Sequence, residues 1–538
     1  MRTIFFMACV AATGVVHAQD PQWTKPPKLA VGIVVDQMRL DNLYRYWDDF
    51  GDGGFKRLVR EGSFQRDVHF NYVPTLTGPG HTSIYTGTTP ARHGIVDNDR
   101  YDRATGRTIY CALDTTVDPI GTAASSSKRS PVQLLASTLG DELELRTDRK
   151  TRTVGIAMKD RAAILPIGRT GDAAYWYQGG KEGNFVSSSW YMKELPQWVK
   201  DFNARHLAAK YMDQTWDLAM PRDRYHTPLP DDNPYEWALA DSIPPSLPVD
   251  LAALRKKGAD LDLLLYTPWG NTLTTDMAIA AIDGDSLGMD DVPDLLALSY
   301  SSIDEIQHNV GQRSVEAEDA YVRLDADLAR LFKHLDETVG KGEYTVFLTA
   351  DHGGADVPAY LRDIKGSASY TSMKELGAWL GTRGFASVID TIWKDQVYLL
   401  PSAPAGTADA IVKALDQNPE IACAMSADQL ERHGALTGIA AAMANGFMPQ
   451  RSGDVLFAMQ PGFLRGTPGS HGRGSTHGTD WNYDTQVPVI FFGKGVLPGE
   501  VLRRTSITDV APTVSAILGM TLPNAADGQV VPEVVRTH

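Results

Sequence analysis

Asp304 and His308 stand four apart in Ser302-Ile-Asp-Glu-Ile-Gln-His308. On a helix that spacing puts both side chains on one face, where a carboxylate and an imidazole can grip one metal ion. His477, in Gly474-Ser-Thr-His-Gly478, can supply a third ligand. Asp351-His352 is a second such pair, trailed by Gly353-Gly354, which lets the backbone turn tightly around a site. With Asp36 the set reaches three carboxylates and three imidazoles, enough for two zinc ions with positions open for substrate. Each piece also has an ordinary reading. Asp-His after a strand serves as a capping turn, and i,i+4 pairs decorate surface helices. His477 has His471 near it in the same Gly/Ser-rich loop, so either can be a solvated loop histidine.

A hydroxyl and two cations complete the chemistry. In Thr75-Leu-Thr-Gly-Pro-Gly-His-Thr-Ser-Ile-Tyr-Thr-Gly87, Gly78-Pro79 suits entry into a helix with Thr77 as N-cap. A hydroxyl there meets the positive end of the helix dipole, which favours an alkoxide and a bound phosphate. A metal ion on the same oxygen lowers its pKa further and makes it a nucleophile. The ordinary alternative is a capped helix. In Met158-Lys-Asp-Arg161, Lys159 and Arg161 point to one side if the chain stays extended. Such a pair matches the dianionic phosphate of a monoester, with Arg able to bind two oxygens at once. A diester, with one charge less, gains less from it. Surface ion pairing is the alternative use of both cations.

These residues need a frame that brings them together. Six short apolar runs predict buried strands: Leu29–Val35, Thr153–Met158, Leu295–Tyr300, Tyr344–Ala350, Val455–Met459 and Val487–Phe492. Helical patterns lie between several of them, most clearly over Val315–Val339. The alternation predicts an α/β fold with a doubly wound, mostly parallel sheet and helices on both faces. Asp36 follows the first run, Lys159 and Arg161 the second, Asp304 the third and Asp351-His352 the fourth. Ligands in open α/β sheets bind outside the carboxyl ends of the strands, so these placements together define a site. The expected organisation is one domain over residues 28–538 with cap-like insertions at about 165–290 and 360–450. The first insertion carries Trp176, Tyr177, Trp190 and Tyr191, which either cover the site or, as aromatic residues more often do, pack a core.

The 538 residues are 43% hydrophobic with a mean hydropathy of -0.23, values of an ordinary globular chain. Arg2, the apolar run Ile4 to Val16 and Val16-His17-Ala18 predict a signal peptide over residues 1–18, cleaved near Ala18, and export to a periplasm or beyond. No later run approaches the roughly 18 apolar residues of a transmembrane anchor. The net charge of -15 without a basic stripe argues against nucleic acid as a bulk partner. Cys111 and Cys423 remain after cleavage, as a disulfide or as free thiols.

Thr77-Gly-Pro-Gly-His81, followed by Thr86-Gly87 and Ala91-Arg-His-Gly-Ile-Val-Asp-Asn98, resembles the nucleophile region of the alkaline phosphatase superfamily. It is most similar to the branch shared by nucleotide pyrophosphatase/phosphodiesterases and the phosphate-irrepressible (PafA-type) alkaline phosphatases. The resemblance runs through Asp36, Asp304, His308, Asp351-His352 and His477, over nearly the whole mature chain. It implies that Asp304, His308 and His477 hold one zinc ion, and Asp36, Asp351, His352 and the Thr77 oxygen another. It also implies that Asn98, 21 residues after the nucleophile, binds a phosphoryl oxygen. In that branch's phosphatases a Lys-x-Arg pair has the role suggested for Lys159 and Arg161. The sulfatase motif Cys/Ser-x-Pro-x-Arg is absent around Thr77, and Thr stands where phosphoglycerate mutases and the enterobacterial alkaline phosphatase use Ser. The implied activity is hydrolysis of small phosphate monoesters through a phosphothreonine, with broad specificity suited to phosphate scavenging. The competing readings are a phosphodiesterase or nucleotide pyrophosphatase on the same core, and a catalytically silent binding protein.

Overall fold

Every residue of the strands Leu29–Val35, Thr153–Ala157, Asp294–Tyr300 and Tyr344–Thr349 is buried. Near-continuous apolar runs are what a parallel sheet covered on both faces demands. The computed structural model describes residues 25–227, 229–238, 245–432, 436–466 and 473–536. In it, Leu29–Val35 pairs in parallel with Asp294–Tyr300 on one side and Tyr344–Thr349 on the other. Asp294–Tyr300 continues in parallel to Thr153–Ala157 and then Ala173–Gln178. Antiparallel strands finish both flanks: Gln486–Gly493 and Ser63–His69 beyond Tyr344–Thr349, and Asn184–Ser188 beyond Ala173–Gln178. With three two- or three-residue edge strands the sheet has eleven strands, and helices cover both of its sides. The carboxyl ends of the central strands therefore share one edge.

Three expectations change. Val455–Met459 is a strand, but it belongs to a separate antiparallel sheet ordered Ile389–Trp393, Gln396–Leu399, Val455–Met459, Ile421–Ser426. That sheet has its own core, with Leu376, Leu380, Ile411 and Leu415 packed on Val397 and Phe457. A short apolar run carries no mark of which sheet it joins. The second insertion correspondingly continues past residue 450 to Phe463–Arg465, which pairs with Ser369–Thr371. The region 165–290 is not a cap throughout, because Ala173–Gln178 places Trp176 and Tyr177 in the main core. The helix expected over Val315–Val339 is α-helical to Leu335, starts with the Ser314 hydroxyl accepting from the Ala317 N–H, and ends in a π turn over Asp336–Gly340. Cys111 and Cys423 are both free thiols. The segment expected to be a signal peptide, residues 1–18, and His471 lie outside the described residues. No helix among the described residues is long and apolar enough to cross a membrane.

Part of the first insertion docks beside the helices of the site. Trp237 donates its backbone N–H to the Asn309 carbonyl at 2.9 Å, and Gly474 donates to the Tyr235 carbonyl at 2.8 Å. Between these contacts Glu236 is buried, and Glu316, at the start of the long helix, is buried with both carboxylate oxygens lacking a hydrogen-bond partner. Burial, and then the charge of Glu316, raises the Glu236 pKa; burial, and then Asp231, raises that of Glu316. The folded chain thus holds protons that the unfolded chain gives up near the ordinary value of 4.5. More protons bound in the folded state means stability falls as pH rises past that value, until these carboxyls ionise in the fold. Tm should accordingly decline from about pH 5 into the alkaline range, and Glu316→Gln should flatten the decline and raise Tm at alkaline pH. Scanning calorimetry at several pH values checks this; a Glu316→Gln chain less stable at every pH would refute it.

Candidate active site

Thr77 opens the helix Thr77–Thr86 and is almost fully buried. Leu76 takes the N-cap position in extended conformation, one residue earlier than the sequence suggested for Thr77. The glycines around Pro79 permit close approach. A Cβ on Gly78 would stand 2.9 Å from Asn98 Oδ1 and 3.1 Å from Cys111 Sγ, and one on Gly80 would collide with the Asp351 carbonyl. The helix end thus lies against both the Asn98 segment and the Asp351 turn. Gly78 donates its N–H to Asn98 Oδ1 at 2.6 Å, which orients the amide and leaves its Nδ2 hydrogens for another acceptor. Gly353 serves close approach rather than a left-handed turn, since a Cβ there would strike the Tyr483 carbonyl.

Two candidate metal-ligand groups lie beside this end, one tied to it through His477 on the Thr75 carbonyl and the other through His81 on Asp351. Donor atoms of Asp304, His308 and His477 lie within 4.8 Å of one another, as do those of Asp36, Asp351 and His352. Asp304 and His308 sit on the helix Ser302–Val310 at the end of the Asp294–Tyr300 strand. Asp36 directly follows its strand, and Asp351 follows Tyr344–Thr349 after one intervening residue, Ala350. All three imidazoles are set the same way. His308 Nδ1 faces the Ser475 carbonyl at 2.9 Å, His352 Nδ1 that of Gly353 at 2.9 Å, and His477 Nδ1 that of Thr75 at 2.8 Å. A carbonyl only accepts, so each Nδ1 carries a proton and Nε2 is the nitrogen left to meet a metal.

Whether the residues fit metal ions can be judged from their unsatisfied atoms. Asp36 Oδ1, Asp304 Oδ1, Asp351 Oδ2 and His352 Nε2 are buried without hydrogen-bond partners. Orphaned carboxylate oxygens are costly to bury unless a cation completes them. Three carboxylates and three imidazoles are donors suited to zinc. The donor set fits.

Charge in the site is tightly paired. The Lys159 ammonium touches one carboxylate of each group, Asp36 Oδ2 at 2.8 Å and Asp304 Oδ2, and lies 3.2 Å from Glu305. Burial opposes its charge, but Asp304, Asp36 and Glu305 outweigh it and push the pKa up. Burial likewise resists ionisation of Asp304, yet His308 and Lys159 hold its pKa well below the ordinary range. Burial, then Asp304 and Asp351, pushes that of Asp36 up. His308 rises to about 9 because Asp304 overcomes its desolvation, whereas burial and then His352 force His477 far down.

The expected extended run at Lys159–Arg161 is not found, since a helix begins at Asp160. The two cations therefore diverge: Lys159 stands on the ligand carboxylates, while Arg161 Nη2 lies 3.3 Å from Thr77 Oγ1. Both are drawn into the site rather than spent on the surface. Tyr110, bonded to Asp160, accepts from Arg161 Nη1 at 3.4 Å and steadies the guanidinium. His81 links Thr77 to the second group, with Nδ1 2.9 Å from the Thr77 carbonyl and 3.3 Å from Asp351 Oδ2. The roles of Tyr110, His81 and Glu305 were not read from the sequence. Glu305 lies beside Asp304 and His81 inside the Thr77 segment, so proximity was the only signal. An open cleft of about 770 Å³ adjoins His308, walled by Trp237, Tyr370 and Trp393 with Arg465 and Arg473.

A doubly wound sheet whose strand ends gather two candidate metal-ligand groups, a buried threonine at a helix N-terminus and two cations is the architecture of an alkaline-phosphatase-like hydrolase. Residues 30–480 match the type I phosphodiesterase / nucleotide pyrophosphatase family, and the chain belongs to it. Alkaline phosphatase PafA of Elizabethkingia meningoseptica is 38% identical over 99% of this chain and 98% of its own. A crystal structure of wild-type alkaline phosphatase PafA, 38% identical, superposes with a TM-score of 0.91 over 95% of this chain and 100% of that one. A structure of the same enzyme substituted at a threonine, an asparagine, a lysine and an arginine superposes at 0.90, at 37% identity. Alkaline phosphatase PhoV of Synechococcus elongatus is 37% identical over 96% of this chain and 94% of its own. A Myroides odoratus protein described as a calcium-transporting ATPase is 39% identical over 95% of each chain. Within the family this chain is an enzyme of the phosphoric monoester hydrolase class, an alkaline phosphatase of the PafA type.

Proposed function

We propose that the enzyme is an exported, two-zinc phosphomonoesterase that works through a phosphothreonine at Thr77. The observation that carries this is the buried Thr77 hydroxyl with Arg161 at 3.3 Å, in a segment that His81 joins to Asp351 and the Thr75 carbonyl joins to His477, one residue of each candidate ligand group. Zinc ions held by Asp304, His308 and His477, and by Asp36, Asp351 and His352 with Thr77 Oγ1, would supply Lewis-acid charge to the attacking and departing oxygens. Thr77 Oγ1 attacks phosphorus and the bond to the alcohol breaks. Water then cleaves the phosphothreonine and returns the hydroxyl. Arg161 and the free Nδ2 of Asn98 hold non-bridging oxygens, and Lys159 adds the second positive charge that a dianion requires. The alcohol leaves on the His308 side, into the cleft walled by Trp237 and Trp393. That cleft is wide and its walls are mixed, which suits broad specificity and phosphate scavenging. The substituted PafA supports these assignments: its altered Thr and Asn are 21 residues apart and its Lys and Arg two apart, the spacings of Thr77 with Asn98 and Lys159 with Arg161.

The second reading is a phosphodiesterase, for which the family's own description speaks. Hydrolysis of p-nitrophenyl phosphate and bis-p-nitrophenyl phosphate by the zinc-loaded enzyme at alkaline pH separates the two. The expected kcat/KM for the monoester exceeds that for the diester by roughly 10²-fold or more, as two charge-assisted contacts allow. A reversed ratio would transfer the enzyme to the diesterases. Metal analysis should return two zinc ions per chain.

A further inference from the structure

The second sheet reaches the catalytic edge through one hairpin. Its strands Ile389–Trp393 and Gln396–Leu399 are antiparallel, and the turn between them presents Lys394 and Asp395. Lys394, with its backbone in the left-handed region at φ 53°, pairs its ammonium with Asp97 Oδ1. Trp393 donates its indole N–H to the Asp99 carbonyl at 2.7 Å. The same Asp97 oxygen accepts the Asp99 N–H at 3.1 Å, closing a tight turn over Asn98. The two residues that flank Asn98 are therefore held by two successive residues of the hairpin.

The rest of the segment is gripped in the same way. Tyr101 donates its hydroxyl to Asp390 at 2.8 Å, and Arg103 pairs with Asp454 at 2.7 Å while its guanidinium lies 5.0 Å from the centre of the Tyr398 ring. Asp395 is tied back to Arg465 at 3.4 Å, which anchors the turn within its own lobe. On the opposite side Asn98 meets the main domain, through Gly78 N–H on its Oδ1 and Cys111 N–H on its carbonyl at 2.8 Å. Asn98 is thus clamped between the start of the Thr77 helix and the tip of the inserted sheet.

We infer that Lys394, with Trp393, is a positioning residue of the phosphatase reaction: the hairpin tip fixes the Asn98 amide toward the phosphoryl group. This rests on the assignment of Asn98 as a phosphoryl ligand. The physical basis is tolerance. An amide pinned by one short bond still pivots about it, and a misplacement of about 1 Å at a reacting centre can cost 10²-fold in rate. The ion pair is buried on the Asp97 side, so it holds its geometry better than a solvated pair would.

The test is a double-mutant cycle on the zinc-loaded, full-length enzyme, read as kcat/KM for p-nitrophenyl phosphate. Lys394→Ala should lower it about 10- to 100-fold, and Lys394→Arg should recover most of the loss. In an Asn98→Ala background, Lys394→Ala should cost less than about threefold, because the residue it positions is gone. A pair that only joins the lobes would show the same loss in both backgrounds, and that result overturns the inference; so does a Lys394→Ala enzyme as active as wild type. If Asn98→Ala alone leaves kcat/KM unchanged, the assignment of Asn98 fails, and the clamp with it. Should Lys394→Ala fold poorly with Asp97 left unpaired, the neutral pair Asp97→Asn with Lys394→Met removes both charges and must show the same loss and the same masking.

Discussion

Thr77→Ala is expected to lower kcat/KM for a phosphate monoester by on the order of 10⁴- to 10⁶-fold, the scale seen when a covalent nucleophile is removed. The expectation follows from geometry as much as from residue type. The hydroxyl is buried at a helix N-terminus with a guanidinium at 3.3 Å, and His81 ties its residue to Asp351 of one candidate metal-ligand group. The helix end and the guanidinium favour negative charge on the oxygen, in the nucleophile before attack and in the phosphoryl ester after it, and metal ions held by the candidate groups would add to this. Thr77→Ser keeps the oxygen and removes one methyl, worth about 0.8 kcal/mol of burial, so it should remain within about tenfold of wild type. Zinc content should survive both changes, because six other ligands remain. Acid quenching of wild type during turnover should trap one phosphoryl group on Thr77, found by peptide mass. A fully active Thr77→Ala enzyme, or a phosphoryl group on another residue, would remove the nucleophile from the mechanism.

Much of this site was legible because strand ends leave a local mark. An apolar run ending in Asp36, or in Asp351-His352, states both the element and where its polar residue falls, and the sheet then brings such ends together. The i,i+4 spacing of Asp304 and His308 likewise fixes a shared helix face without tertiary knowledge. What depends on a distant partner was not legible. Whether Val455–Met459 joins the main sheet or an inserted one is settled by Gln396–Leu399 and Ile421–Ser426, not by its own residues. Trp176 and Tyr177 lie in a stretch whose composition suggested a cap-like insertion, and core packing was the commoner fate for such aromatics; pairing with Thr153–Ala157 makes their strand part of the main sheet and puts them in its core. The start of a helix at Asp160 turned two cations expected side by side into two with different neighbours. The hold of Trp393 and Lys394 on the Asn98 segment spans nearly 300 residues of chain, and no spacing rule reaches that far.

Lys159→Ala and Arg161→Ala should separate monoesters from diesters. Each cation makes a charge-assisted contact worth roughly 1.5–3 kcal/mol, so each single change should lower monoester kcat/KM about 10- to 150-fold. The diester, with one charge less and one oxygen fewer to hold, should lose much less, and the ratio of the two substrates should narrow. Lys159 calls for a further control, because its ammonium lies against Asp36 and Asp304, both metal-ligand candidates. Removing a cation from between carboxylates leaves them more negative and strengthens their hold on zinc. A Lys159 that serves the phosphate therefore gives a variant with full zinc content and poor monoester turnover. A Lys159 that merely arranges the ligands gives one whose zinc content falls and whose losses are equal for both esters. Arg161 has no carboxylate of either group beside it; its guanidinium bonds Thr77 and Tyr110 and its nearest carboxylate is the non-ligand Asp160, so its replacement should leave metal content untouched whatever Lys159 does. Metal analysis beside the two rate constants thus decides whether the second charge on the substrate is recognised by a lysine and an arginine together or by the arginine alone.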